Sequence, residues 1–360
     1  MKKIAKLSLV AAVAVAGLST TSSAASLEEA IKGVDISGQV RYRMEDASQN
    51  GAGSEDQDVN IDVKIKVPVT DKVTFVANAN FDDDNQETQT AHSGTAAATN
   101  GTASDSSGTL DQYYFQYSNG AVTALLGTQD IPGRLTDSEE ASGLVALYNA
   151  GAFTVGGAAF YNADVSSEAI YSVIAMGNVG PVSLLGQYVD VDNTMKVYNV
   201  KADASLGMVK TGVEYSEKEL DTGAATDDER STFKAYVAGN VGIVSASLAY
   251  AATGDNGSGS IDEAAETPAE FLLWQMGSAG VSDLSAFAVD ATVTLTDKIS
   301  VRAAYADGEH GTADTDISET LGQINYKVAK NLNTYIRYSE LEEQGAQDKQ
   351  RGRIEVKYTF

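Results

Sequence analysis

The chain ends with the stretch Arg351-Gly-Arg-Ile-Glu-Val-Lys-Tyr-Thr-Phe360. Its side chains alternate in character: the apolar ones are Ile354, Val356, Tyr358 and Phe360, and the polar ones are Arg353, Glu355, Lys357 and Thr359. Because successive side chains of a β-strand point to opposite faces, this period of two predicts a strand with one apolar and one charged face.

Two classes of protein contain such a strand. In a soluble protein the apolar face of an edge strand meets a core, and these ten residues leave that interpretation open. A chain that ends on such a strand with a terminal phenylalanine also resembles the closing strand of bacterial outer-membrane barrels. That resemblance implies that the barrel assembly machinery recognises the strand ending at Phe360.

The beginning of the chain favours the second class. Lys2, Lys3 and Lys6 precede an apolar run from Leu7 to Leu18, and small residues follow at positions 22–25. This order predicts a secretory signal peptide over residues 1–25, cleaved after Ala24 or Ala25. The apolar run is shorter than the roughly 18 residues of a spanning helix, so it is not predicted to be a membrane anchor.

The composition limits the possible functions further. Without its three signal lysines, the chain carries 22 basic and 50 acidic residues, a net charge of −28. Such an excess of negative charge argues against binding to nucleic acid. The sequence contains no cysteine, which excludes disulfides and thiolate metal sites.

A second alternating stretch shows which face of the strands meets water. Val59, Ile61, Val63, Ile65 and Val67 form its apolar face, and Asp58, Asn60, Asp62, Lys64 and Lys66 form the other. A soluble core would not tolerate so many charges on a buried strand. An apolar outside and a polar inside are typical of a transmembrane β-barrel.

Repetition of this pattern predicts an all-β fold, a transmembrane antiparallel barrel of about 18 strands formed by residues 26–360, with 16 strands as the alternative. The strands are predicted to begin near Ile36, Asp58, Val73, Leu110, Ala121, Gly143, Ala152, Ala169, Val182, Thr194, Met208, Ser231, Ile243, Leu284, Ser300, Ile317, Leu332 and Arg351. Short periplasmic turns alternate with longer outer loops. The longest predicted loops are Asp82 to Gly108, Ser216 to Arg230, Thr253 to Asp283, Asp307 to Asp316 and Leu341 to Gln350. A barrel of this size leaves an aqueous channel.

Three stretches resemble one family, the Campylobacter-type major outer membrane protein, a trimeric OprD-like porin. They are residues 26–43 directly after the signal, Gly127 to Asp137 with Gly143 to Tyr148, and Ala269 to Gln275. The first is similar to the mature start of that family, the second to its third-loop region and the third to a segment of its long seventh loop. The resemblance implies an outer-membrane location and a homotrimer.

The second stretch supplies the candidate site. The resemblance implies that a third loop near residues 129–142 folds into the barrel and narrows the channel. It would bring an acidic eyelet to the constriction, consisting of Asp130, Arg134, Asp137, Glu139 and Glu140. A basic wall is predicted opposite, formed by Arg41, Arg43, Lys64, Lys66, Arg302 and Arg337. Because rings of acidic side chains favour cations, the arrangement predicts weak cation selectivity.

The predicted function is a porin for passive diffusion of small hydrophilic solutes and ions, embedded in outer-membrane lipid. A surface adhesin or structural barrel is the alternative.

His92 and His310 are far apart in predicted loops, and no nucleophile motif accompanies them, so an enzyme is not favoured. No cofactor is required. Acidic clusters at residues 82–84 and 227–229, or acidic pore residues, offer oxygen ligands for Ca²⁺, but without the spacing of a calcium loop. Trp274 is expected at the barrel rim or against a neighbouring subunit, with the channel vestibule as the alternative.

Overall fold

The fold is described here from a computed structural model of the chain. It describes residues 33–49, 52–89, 107–136, 139–164, 166–221, 229–261, 267–268, 272–311 and 314–360. The predicted signal peptide, His92 and Asp137 lie outside these ranges.

The described chain forms one closed antiparallel barrel of 18 strands. The strands are β1 Asp35–Gln49, β2 Ala52–Thr70, β3 Val73–Gln89, β4 Ser107–Ser118, β5 Val122–Asp130, β6 Glu140–Asn149, β7 Phe153–Tyr161, β8 Ile170–Val179, β9 Val182–Val191, β10 Met195–Leu206, β11 Val209–Leu220, β12 Glu229–Val241, β13 Val244–Thr253, β14 Ser285–Thr294, β15 Ile299–His310, β16 Thr315–Ala329, β17 Leu332–Glu343 and β18 Lys349–Thr359. Each strand pairs with its neighbours in the sequence, and β1 pairs with β18 from Gln39 opposite Thr359 to Gln49 opposite Lys349. The predicted fold class and the count of 18 are confirmed, and the alternative of 16 strands is wrong.

The last residue completes the closure. The backbone N–H of Phe360 donates to the carbonyl oxygen of Gly38 (3.0 Å), and the N–H of Gly38 donates back to Phe360 (3.1 Å). The Phe360 ring stacks on Tyr358 on the apolar face, with 6.1 Å between ring centroids. Recognition of this strand by the assembly machinery stays a prediction.

The two faces of the barrel differ as the alternation predicts. Large apolar side chains such as Leu126, Val173 and Ile336 are exposed on the outer face. The register carries the polar residues of neighbouring strands onto the inner face, where Arg41 of β1 lies opposite Asn60 of β2. Among the described residues, no helix is both long and apolar enough to cross a membrane.

Connections alternate in length between the two ends of the barrel. At the turn end they are residues 71–72, 119–121, 150–152, 180–181, 207–208, 242–243, 295–298 and 330–331. The other, loop end carries the long connections, of which residues 254–284 form the longest. Several predicted loops are partly wrong, because β3 continues to Gln89 and β15 to His310. The ends of these strands are polar on both faces, so their side chains no longer alternate. Their backbone groups still pair with those of neighbouring strands, and the strands therefore continue.

Alternation fails in two regions of the inner wall. On β6 to β10 the inward positions carry apolar residues: Val145, Phe160, Ile170, Val189, Val191 and Val197. On β14 to β17 they carry Ala286, Ala288, Ala304, Ala306, Leu321 and Leu341. Apolar side chains facing a water-filled lumen are unfavourable, and each region is covered by a loop that folds inward.

Candidate functional site: the inside of the barrel

The third connection at the loop end enters the barrel. Strand β5 pairs with β4 only as far as Thr128, opposite Tyr113, but with β6 as far as Asp130, opposite Glu140. The end of the β5–β6 hairpin therefore leaves the β4 edge of the wall. Residues 131–136, which we call the L3 segment, continue from it into the lumen.

Apolar contacts hold the L3 segment on one side of the barrel. Ile131 is 5% exposed and Leu135 is 1% exposed, and both belong to the cluster with Val145, Phe160 and the other apolar residues on the inner face of β6 to β10. The loop thus covers the first apolar region of the inner wall.

Polar contacts fix the same segment to β9 of that wall and to the adjacent strand β11. The Arg134 guanidinium donates two hydrogen bonds to the Glu214 carboxylate on β11, at 3.1 and 2.9 Å. Gln187 on β9 accepts from the Arg134 backbone N–H (2.9 Å) and donates to the carbonyl oxygen of Pro132 (2.8 Å). Gly133 lies between them with a φ of +123°, and a Cβ there would come within 2.0 Å of the Gln187 side chain. Only glycine meets both conditions.

A cavity of about 780 Å³ separates the hairpin end from the wall formed by β1 to β4. Its charged lining residues are Asp62, Lys64, Asp111, Asp130 and Glu140, four carboxylates and one amine. Asp130 accepts a hydrogen bond from Gln112 on the inner face of β4, at 2.5 Å. Strict alternation would place Asp130 and Glu140 on the outer face with Leu126 and Leu144, but the hairpin end has left the wall and turns both carboxylates to the cavity.

The predicted eyelet is therefore only partly assembled around this cavity. Asp130 and Glu140 line it together. Arg134 turns away from it, because Glu214 on the opposite wall binds its guanidinium. Glu139 lies at the base of the loop, where its carbonyl oxygen accepts a hydrogen bond from the Ile131 N–H (3.0 Å). Asp137 lies outside the described residues.

The residues of the predicted basic wall all lie on the inner face, and three of the six bind carboxylates. Arg41 pairs with Asp58 (2.9 Å), and Arg43 pairs with Glu355 of β18 (2.9 Å). Lys64 lines the acidic cavity. Lys66 is on the same face of β2, two positions nearer the turn end.

Barrel closure joins the early and late parts of this wall. Arg302 on β15 pairs with Asp290 (2.6 Å). Arg337 on β17 donates to Gln323 at 2.6 Å and lies directly opposite Arg353 of β18 in the register. Arg351 and Arg353 both bind Glu45 of β1. The charges thus form a continuous row, although the chain separates its members by some three hundred positions.

A second loop covers the other apolar region. Residues 272–278, which we call the L7 segment, pack against the inner face of β14 to β17 through Met276 and Trp274, which are 1% and 7% exposed. The favoured expectation for Trp274, the rim or another subunit, is wrong, and its place inside the barrel agrees with the alternative, the vestibule. The alanine side chains of this wall are small and leave space that the loop fills.

A buried carboxylate anchors the L7 segment. Glu319 on β16 is fully buried and accepts hydrogen bonds from the backbone N–H groups of Trp274 (3.2 Å), Gln275 (2.9 Å) and Met276 (2.7 Å). The Gln275 side chain also donates to Ser339 on β17 (2.7 Å). A carboxylate that accepts several N–H bonds is satisfied without a cation.

The two loops also contact each other. The carbonyl oxygen of Leu135 in the L3 segment accepts from the Ile261 N–H and from the Ser260 hydroxyl, both at 3.1 Å. Ile261 belongs to the same apolar cluster as Leu135. The seventh loop therefore joins the third inside the barrel.

Sequence reasoning missed Gln187, Glu214, Trp274 and Glu319 as parts of the interior. The detectable signal is the loss of alternation, since inward positions of β6 to β10 and β14 to β17 are apolar. No group of three or more His, Asp or Glu side chains within the described ranges is arranged to hold a metal ion.

Comparisons with known proteins agree with this architecture. Residues 1–162 match the family described as Campylobacter major outer membrane protein. None of the curated proteins matches the chain.

Several solved structures share the whole fold. Pseudomonas aeruginosa OccK2 (OpdF), solved in complex with glucuronate, aligns with a TM-score of 0.74 at 11% identity, over 91% of this chain and 98% of that one. Pseudomonas aeruginosa OpdK with vanillate gives 0.73 at 12% identity, over 91% and 99%. Pseudomonas aeruginosa OccK9 (OpdG) gives 0.72 at 14% identity, over 92% and 99%. At such identities the likeness concerns the fold. The chain is an outer-membrane β-barrel whose predicted resemblance to the Campylobacter major outer membrane protein family is confirmed over residues 1–162.

Proposed function

We propose that this outer-membrane porin, a passive channel for small hydrophilic solutes, weakly prefers cations over anions. The observation that carries the proposal is the cavity between the hairpin end and β1 to β4, with four carboxylates and the single amine of Lys64 among its described lining residues. Fixed carboxylates beside a narrow water path attract cations and repel anions.

The two arginines of β1 do not cancel this excess. Arg41 and Arg43 are neutralised by Asp58 and Glu355, at 2.9 Å each. Their fields therefore fall off more steeply with distance than those of unpaired charges. The net negative charge next to the path comes from Asp62, Asp111, Asp130 and Glu140.

Selectivity of this origin depends on salt. At an ionic strength of 0.1 M the Debye length is about 10 Å, so carboxylates farther than this from a permeating ion are largely screened and the preference is weak. We expect the ratio of cation to anion permeability to fall towards one as salt rises. Solutes are sorted by size and charge, without a chemical step.

The test is single-channel recording of the refolded protein in a planar bilayer, with the reversal potential measured under a KCl gradient. Discrete ohmic steps and a reversal potential on the cation side are expected. The double variant Asp130→Asn, Glu140→Gln should lower the permeability ratio, because it removes two of the four cavity carboxylates.

A matched control removes the same number of charges away from the cavity. Asp71 and Asp297 are exposed in turns at the opposite end of the barrel, so Asp71→Asn, Asp297→Asn should keep the selectivity of the wild type. An anion-side reversal potential in the wild type would refute the cation preference. Equal effects of the two double variants would refute the assignment to this cavity.

A further inference from the structure

Trp274 is the chain's single tryptophan, and it lies inside the barrel. The chain has 17 tyrosines, several of them exposed on the outer face, where aromatic side chains of such barrels usually meet the lipid interface. Trp274 lies instead among three guanidinium groups. The carbon atoms at the centres of Arg337, Arg351 and Arg353 are 4.9, 4.8 and 4.9 Å from the centroid of its ring system.

These three arginines carry an excess of positive charge. Arg351 and Arg353 share one carboxylate, that of Glu45. Among the described residues, no carboxylate lies within ion-pair distance of Arg337, whose Nε donates to the neutral Gln323. Exposed to the lumen, such a group would hold anions by charge-assisted hydrogen bonds.

We propose that the L7 segment is a shield that determines the charge selectivity of the pore, with Trp274 as the specificity-determining residue and Glu319 as the positioning residue. The indole lies against the guanidinium groups, and its ring face stabilises their charge. Trp274 is 7% exposed, and the side chains of Arg353 and Arg351 are 12% and 30% exposed, so Arg353 is largely withdrawn from the lumen and Arg351 is partly open to it. An anion in the lumen then meets the L7 segment rather than the free N–H donors beneath it. This inference rests on the proposed cation preference and explains why a pore with so many arginines shows it.

Glu319 keeps the shield in place. Its carboxylate accepts the N–H groups of three successive residues, Trp274, Gln275 and Met276, and lies fully buried beneath them. The same contact removes an acidic group from the lumen. The L7 segment thus covers both the Glu319 carboxylate and the three arginines. The acidic cavity beside β1 to β4 is then the charged surface that ions meet.

The decisive variant alters no formal charge. We expect Trp274→Ala to lower the cation-to-anion permeability ratio in a KCl gradient at least about twofold, because it exposes the guanidinium groups to the lumen. Trp274→Phe, which keeps an aromatic ring over them, should behave like the wild type. Adding Arg337→Gln to Trp274→Ala should restore part of the cation preference. An unchanged reversal potential in Trp274→Ala would overturn the proposal.

A second measurement does not depend on ion flow. Phenylglyoxal modifies accessible arginines, and peptide mass spectrometry reports each site. The proposal requires slow labelling of Arg337 and Arg353 in the folded wild type, and faster labelling in Trp274→Ala or in Glu319→Gln. Equal labelling rates in the wild type and in either variant that folds would overturn it.

The two readouts also separate this inference from the proposed function. A wild-type channel without cation preference would remove the proposed selectivity, and arginine labelling would still decide whether Trp274 shields the group. If the wild type is cation-selective and its variants match it in both reversal potential and arginine labelling, the proposed function stands and the shield is refuted.

Discussion

The two segments inside the barrel are held in opposite ways. The L3 segment is pinned by an ion pair, Arg134 to Glu214, whose arginine comes from the loop and whose acid comes from the wall. The L7 segment contributes backbone N–H groups and an indole, and the wall supplies both the acid, Glu319, and the arginines. Both segments also bury apolar side chains against an apolar region of wall.

The difference shows two ways to set the charge of a pore. The hairpin that carries the L3 segment brings carboxylates to the water path, since Asp130 and Glu140 flank the loop. The L7 segment takes charges away, because it covers wall residues that are already present. Variants that release the L7 segment should therefore lower the cation preference, as variants that neutralise Asp130 and Glu140 do, but by exposing positive charge rather than by removing negative charge.

The largest expected effect comes from the anchor of the L7 segment. Glu319→Ala leaves three backbone N–H groups without their acceptor, and an unsatisfied buried donor costs about 1–3 kcal/mol. Because the loop can escape to water, we expect the free energy of its local opening to fall by about 3 kcal/mol in total. Hydrogen exchange of the amides of Trp274, Gln275 and Met276 should accelerate accordingly.

Ser339→Ala is the control for this prediction, because it removes one of the two side-chain hydrogen bonds of Gln275 and leaves the carboxylate in place. Its effect on the same amides should be much smaller. If the amides exchange at the wild-type rate in Glu319→Ala, the apolar contacts alone hold the L7 segment.

The next effect concerns the L3 segment. Gly133→Ala places a methyl group where the Gln187 side chain lies and forces a φ of +123° on a residue that disfavours it. We expect the L3 segment to be displaced from the wall, at a cost of about 2 kcal/mol, with larger and noisier single-channel currents. Gly186→Ala is the control, because a Cβ there meets nothing within 4 Å. Identical currents in both variants would contradict the role of Gly133.

Removing both partners of the L3 ion pair together should have a smaller effect than removing one of them. Arg134→Gln alone leaves the buried carboxylate of Glu214 without its cation and should destabilise the barrel by about 3 kcal/mol. Arg134→Gln with Glu214→Gln should cost less than the sum of the single changes, with a coupling energy of about 1–3 kcal/mol. Unfolding in lipid vesicles by guanidinium chloride measures these free energies. Additive changes would mean that the pair does not hold the loop.

These residues also show how far the sequence alone could lead. Alternation along β2 and β18 predicts strands, their faces and the closure, because each strand has to satisfy lipid on one side and water on the other. The L3 segment was expected from the resemblance of the Gly127 to Asp137 stretch. Its ion pair was not, since five strands, β6 to β10, separate Arg134 from Glu214 on β11 and nothing local links them.

The seventh loop was harder to predict for a physical reason. Its sequence is mostly polar, and a lone Trp274 in such a loop is compatible with a rim, a partner or the lumen. The information lies instead in the wall, where inward positions such as Ala304 and Leu321 are apolar although they face the lumen. Such positions predict a cover, but only the structure identifies which segment provides it.

The smallest effect tests whether the two segments move as one. Ser260→Ala removes one of the two hydrogen bonds to the carbonyl oxygen of Leu135, a loss of about 1 kcal/mol. If the segments are coupled, hydrogen exchange should accelerate both at Ile261 and at the Arg134 amide, which itself donates to Gln187. Ser278→Ala is the control, because the buried Ser278 hydroxyl has no hydrogen-bond partner among the described residues. Acceleration at Ile261 alone would show that the L3 segment is held by the wall independently of the seventh loop.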